Sequence, residues 1–211
     1  LIIKGNISPI IILFIISLSL YIPKVLGTLS NPALFLPVII IFIVYPLICG
    51  QYVEIILNNK KASYLKIFNE HWFNFFVVSI LIGCPVFIIL LLSIFVHDSI
   101  GILKNPVSLA ISICALYVYP LVFLLKKRLK SISLGFKCLF GNLAFSLPLL
   151  IISLIPTIVN LAVGVTVKNT GTSVEIVFGI LFMFFNTIID FSIFIAAVLI
   201  LRNKLFVQKV F

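Results

Sequence analysis

At 211 residues, 63% hydrophobic and only 9% charged, the chain is too apolar for a water-soluble domain, where about a quarter of residues are charged. Its net charge of +10 is carried by cations lying between apolar runs rather than on one patch, which points to anionic lipid headgroups and away from nucleic acid. The apolar residues come in long runs instead of alternating, which excludes a lipid-facing β-barrel and gives room for about six helices of roughly 20 residues.

The chain opens on Leu1 rather than Met, so it reads as a fragment or as a literal translation of a non-standard start codon. The first apolar run, residues 7–26, follows Lys4. A signal peptide would have this basic start and apolar centre, with Val25 and Gly27 at cleavage positions. Pro23 and Lys24 disfavour cleavage, and the runs that follow favour an uncleaved first helix. After Asn31-Pro32 the second run, 34–57, contains Tyr45-Pro46 and leaves through Gly50, Gln51 and Glu54 into Asn58-Asn59-Lys60-Lys61. Trp72-Phe73 marks a return to the membrane interface, where amphipathic rings collect. The third run, 75–96, holds Pro85 and ends at His97-Asp98-Ser99. The fourth, 107–125, contains Tyr119-Pro120 and empties into Lys126, Lys127, Arg128 and Lys130. The fifth, 142–165, carries Pro148 and Pro156; Asn169-Thr170-Gly171 signals a turn; the sixth, 174–201, ends in Arg202, Lys204 and Lys209.

Sorting the cations by side gives an orientation. With a cytoplasmic N-terminus, the inner segments hold Lys4; Lys60, Lys61 and Lys66; Lys126, Lys127, Arg128, Lys130 and Lys137; and Arg202, Lys204 and Lys209. The outer segments hold only Lys24, Lys104 and Lys168. Cytoplasmic loops are the ones enriched in lysine and arginine. The expected fold is therefore all-α: one polytopic bundle over 1–211, six crossings, both termini cytoplasmic (N-in/C-in), in the cell membrane.

Val44-Tyr45-Pro46-Leu47-Ile48 matches Val118-Tyr119-Pro120-Leu121-Val122, and Lys60-x-x-Ser63 matches Lys130-x-x-Ser133. Runs 2–3 and 4–5 thus read as duplicated hairpins, an arrangement common in transporters, although an apolar alphabet also produces such matches by chance. Pro46, Pro85, Pro120, Pro148 and Pro156 predict kinks, because proline removes a backbone donor and opens the preceding turn. Two cytoplasmic connections are amphipathic at helical spacing: Tyr64, Leu65, Phe68 and Trp72, then Leu129, Ile132, Phe136, Leu139 and Phe140. They are expected to lie in the interface, or to offer a docking surface.

Intramembrane ionisable residues are costly and therefore the first functional candidates. Asp190 lies in the sixth run with Asn186 one turn before it, on a stripe expected to face the bundle; Glu54 lies near the inner end of the second and can snorkel. No protease, hydrolase or nucleotide-binding motif is present. His71 and His97 fall on opposite sides of the expected bilayer, so no metal site and no cofactor are read from the sequence. Cys49, Cys84, Cys114 and Cys138 are widely spaced and read as apolar packing residues.

Two resemblances follow. The repeated apolar–proline–basic–serine–aromatic hairpins, from Tyr45-Pro46 to Trp72 and from Tyr119-Pro120 to Phe145, resemble poorly characterised prokaryotic six-helix membrane proteins. These include the membrane domain beside some glycerophosphodiester phosphodiesterases, whose activity belongs to a separate soluble domain, so no catalytic residue carries over. Gly135 and Pro148 are spaced as in the cytoplasmic loop of ABC permeases, although Leu129-Lys130-Ser131 stand where that loop has Glu-Ala-Ala. The expected function is a non-enzymatic transporter component or envelope accessory protein. The alternative is an ABC-type permease that docks a cytoplasmic ATPase through the basic loop Lys126–Lys137; a third reading is a lipid-modifying enzyme using Asp190 and Glu54. The expected partners are the bilayer's anionic headgroups, and an ATPase or a second copy of the chain.

Overall fold

The structure, a computed structural model, describes residues 8–25, 35–95, 103–167 and 172–208. Lys4, His97, Asp98, Lys168 and Lys209 lie outside them. Every described element is helical: α1 (Ser8–Val25), α2 (Phe35–Asn58), α3 (Tyr64–Ile67), a π-helical turn (Phe68–Trp72), α4 (Phe73–Phe95), α5 (Lys104–Ala115), α6 (Val118–Leu125), α7 (Arg128–Gly141), α8 (Leu143–Val167) and α9 (Thr172–Gln208). Helix covers the described part of each of the six apolar runs. Among the described residues, three helices are long and apolar enough to cross a bilayer: Tyr64–Ser93, Pro106–Leu125 and Ile176–Asn203. Arg128–Gly141 with Leu143–Ile155, bent by 100°, makes a fourth if the pair is one span, and Ile10–Ser19 and Phe42–Asn58 are shorter apolar helices. Their outward faces carry Ile15, Ile39, Phe87, Ile151, Ile158 and Phe185 in the open. A surface so apolar suits lipid rather than water as its solvent.

Proline acts unevenly. Helices α2 and α4 run uninterrupted through Pro46 and Pro85, and α8 continues past Pro148 and Pro156, so the kinks expected from sequence do not break these helices. At Pro120 the effect is visible one turn upstream: α5 stops at Ala115, the Leu116 amide turns back to the Ile113 carbonyl at 3.2 Å, and α6 begins at Val118. A missing amide at Pro120 frees the carbonyl four residues earlier, at Leu116.

Two helical hairpins result. The first turns at Asn59 (φ 52°) and the second at Lys126 (φ 54°), both in the left-handed region. A glycine lies about two helical turns from each of these corners. Gly50 of α2 is closed over by Ile67, and Gly135 of α7 by Val118, whose Cα and N would lie 3.0 Å from an added Cβ. Small residues let helix backbones approach closely, and this packing takes the place of the hydrophobic drive that is weak between helices in lipid. Lys60 follows the first corner and Lys127 the second.

Helix α7 covers the second of the amphipathic connections. It turns back along α6 and touches α4 and α5, burying the small face Ser131, Gly135 and Leu139 while Leu129 and Phe140 stay exposed. Close approach to α6 selects the face with the smallest side chains, not the most apolar one. At the bend into α8, Ser146 Oγ donates to the Asn142 carbonyl (2.8 Å) and sits 3.3 Å from the Leu139 carbonyl and 3.1 Å from Tyr117 Oη. It serves carbonyls that a helix end leaves without partners.

The core lies where the hairpins meet α9. Phe75 packs between the tyrosines of the two Tyr-Pro dipeptides, 5.9 Å from Tyr45 and 5.3 Å from Tyr119 by ring centroids. It also meets Phe123 at 5.8 Å, and Phe123 meets Phe194 of α9 at 5.9 Å. Phe191 completes the group against Tyr45 and Tyr52.

Gly135→Ala is expected to destabilise the chain by about 1–3 kcal/mol through overpacking against the Val118 backbone. Gly83→Ala, whose added Cβ meets nothing within 4 Å, is expected to be neutral or stabilising. Thermal unfolding of both variants in lipid nanodiscs checks the contrast.

Candidate functional site

The densest polar constellation gathers at the two hairpin corners. The last turns of α2 supply Gln51, Glu54 and Asn58 on one helical face, at spacings of three and four residues. The chain turns at Asn59, and Ser63 caps α3 by accepting from the Lys66 amide at 3.3 Å. The π-helical turn follows and carries Glu70 and His71. Single π turns are rare and cluster at functional sites. More residues per turn also separate neighbouring side chains by less than the 100° of an α-helix.

Glu70 is the centre of this corner. It forms an ion pair with Lys126 at the turn of the second hairpin, lies 4.0 Å from Lys66 Nζ, and stands 3.8 Å from His71 Nε2. Asn74, one turn on, reinforces the join: its Nδ2 donates to the Lys126 carbonyl at 3.2 Å, and its Oδ1 accepts from Arg128 Nε at 2.9 Å. The Arg128 guanidinium sits 4.4 Å above the Phe73 ring, a cation–π contact. Three polar contacts and one ring thus tie the π turn and the start of α4 to the α6–α7 turn.

Behind the ion pair, His71 is 3% exposed and its ring lies 5.3 Å from Phe123. Its Nδ1 has no hydrogen-bond partner, and neither has Gln51 Oε1. Gln51 donates through Nε2 to the Ala62 carbonyl, and Asn58 Nδ2 donates to Glu54 Oε2 at 2.6 Å. Glu54, Glu70 and His71 bring one ligand atom each to within 4.8 Å of one another. The hydrogen bond from Lys126 holds the Glu70 carboxyl below its ordinary value of 4.5, while burial holds the His71 imidazole below its ordinary 6.5.

The residues singled out from sequence divide between two places. Glu54 joins the corner cluster; Lys126 and Arg128 are part of the join; Lys127 and Lys130 are exposed at the start of α7. Asp190 and Asn186 belong elsewhere. Asn186 borders an apolar cavity of about 400 Å³ between α8 and α9, lined also by Ile155, Phe178, Phe182 and Ile189. Asp190 is exposed on α9. The side of α9 packed on the hairpins carries Phe191, Phe194 and Val198, and Ala197 is also buried. The structure does not bring Glu54 and Asp190 into one cluster.

Gln51, Glu70, His71 and Asn74 were not among the expected site residues. A signal for Glu70 was present: it is one of five acids against fifteen cations, so a cation partner was the natural expectation. None of the four cysteines is in a disulfide. No protein-family model, no characterised protein and no solved structure matches this chain.

The low Glu70 and His71 values give a stability profile with two steps. Both groups bind protons less readily in the folded chain than in the unfolded one, so stability falls as pH falls. The loss begins near 6.5 as unfolded His71 takes up a proton and resumes near 4.5 through Glu70. Glu70→Gln is expected to remove the lower step and leave the upper one, read as the unfolding midpoint against pH.

Proposed function

We propose that the chain is a multi-pass cell-membrane protein with six spans and both termini cytoplasmic, and that it acts as a non-enzymatic component of a transport system or of the envelope. One observation carries this reading: two like hairpins close on Phe75, and Asp190 adjoins that contact through its neighbour Phe191, which packs on Tyr45 and Tyr52. Repeats that meet at membrane depth are where transporters build their sites. A carboxylate at that depth is costly unless it faces water, a partner group or a second subunit. In this orientation the basic corner faces the cytoplasm, with Lys60, Lys61, Lys127 and Lys130 toward anionic headgroups.

A second reading, a permease subunit that docks a cytoplasmic ATPase, is favoured by the exposure of Lys127, Arg128, Leu129 and Lys130 together at the start of α7. Its support is that exposed basic start rather than the Gly135–Pro148 spacing, since Gly135 is engaged by Val118. The lipid-modifying reading loses support because its two carboxylates, Glu54 and Asp190, sit in different clusters.

In a variant whose four native cysteines are replaced, Asp190→Cys and Asn186→Cys, introduced singly, test the transport reading. A membrane-impermeant thiol reagent is expected to modify Asp190→Cys in intact membranes, as it modifies Lys127→Cys on inverted vesicles. Failure to modify Asp190→Cys from either side, with Lys127→Cys labelled, overturns an aqueous pathway at this carboxylate.

A further inference from the structure

The ion pair at Glu70 leaves much of the corner's chemistry unused. Glu54, Glu70 and His71 come from two different elements, α2 and the π-helical turn, and converge with ligand atoms within 4.8 Å of one another. His71 is a buried imidazole whose Nε2 points at Glu70 from 3.8 Å and whose Nδ1 has no partner. A buried imidazole without its hydrogen bonds carries a desolvation cost that a native fold ordinarily offsets. Gln51, one turn before Glu54 on α2, is also buried; it donates through Nε2 to the Ala62 carbonyl, and its Oε1 is unpartnered. A buried nitrogen base and two carboxylates therefore meet where α2 faces the π turn.

We propose that Glu54, Glu70 and His71 form a binding site for a zinc-class divalent cation at the hairpin corner. The donor set decides the class. One imidazole with two carboxylates suits zinc, which accepts three protein ligands and water in a four-coordinate shell. Calcium takes six to eight oxygen ligands and magnesium prefers a mostly hydrated octahedron, so neither fits three ligands of which one is nitrogen. Zinc ligands stand about 2.0–2.2 Å from the ion, so atoms now within 4.8 Å close on it through side-chain rotation of about an ångström. Glu54 and Glu70 together supply the charge that a divalent ion neutralises.

Lys126 sets the terms of binding. Its ammonium already occupies one side of the Glu70 carboxylate, so zinc and Lys126 compete for the same group. Binding at Glu70 therefore loosens the ion pair that joins the second hairpin to the first, while Asn74 keeps its bonds to the Lys126 carbonyl and to Arg128. The site couples an ion to the hairpin corner without involving α9.

The test uses the full chain, purified metal-free in nanodiscs and titrated with zinc against a chromophoric chelator. A single equivalent per chain is expected. Glu54→Gln and His71→Ala are each expected to weaken binding by roughly ten- to a hundredfold, and Lys126→Gln to tighten it severalfold by removing the competing cation. Glu54→Gln keeps the side-chain volume at a partly exposed position, so it reports on binding even where His71→Ala does not fold. Absence of stoichiometric uptake by the unmodified chain, unchanged affinity in folded Glu54→Gln, or unchanged affinity in Lys126→Gln overturns the site.

Discussion

Phe75 is the contact on which the two hairpins close. It is 5% exposed and lies against Tyr45 of one hairpin and against Tyr119 and Phe123 of the other. In lipid the hydrophobic effect gives helices little reason to prefer one another over acyl chains, so association depends on van der Waals packing and on a few polar contacts. Aromatic pairs supply such packing at about 0.5–1.5 kcal/mol each beyond the area they bury. The ring group extends through Phe123 to Phe194, and from Tyr45 to Phe191, so both hairpins and α9 share one core. The two glycine contacts, Gly50 under Ile67 and Gly135 under Val118, set how close the arms of each hairpin come and hence where the rings fall.

Two sets of polar contacts lie at the ends of this packing and at the bend at Gly141–Asn142. Ser146 serves the carbonyls that the bend releases, and the hairpin corners gather Glu70, Lys126, Asn74 and Arg128 into one set of contacts. The charged pair alone is worth little where its side chains meet water, typically under about 1 kcal/mol. Its role is positional: it fixes which corner meets which, while the turn at Asn59 folds the π turn back along α2 and so brings Glu54 and His71 into reach of each other. Structure and chemistry meet at the π turn, where a locally wider helix sets a carboxylate and an imidazole side by side.

Much of the fold was legible because it follows from composition. Long apolar runs read as helices, and helix covers most of the described part of each run, with α3, the π turn and α7 in the connections between them; Pro120 marked the one place where proline divides a run into two helices. The corners are set by left-handed backbone at Asn59 and Lys126; asparagine enters that region readily, whereas lysine gives no such signal. The corner cluster was only half visible. Glu54 was singled out, but Glu70 and His71 lay in a connection that reads as a solvated face, and only the fold returns that connection along α2.

The most direct measurement is the unfolding free energy, in nanodiscs, of Phe75→Ala, Tyr119→Ala and the double variant. If the two hairpins close on this contact, the single losses do not add, and the double variant is more stable than their sum by about 0.5–3 kcal/mol. Strict additivity of the two would contradict it, because the rings would then be packing against other neighbours rather than against each other.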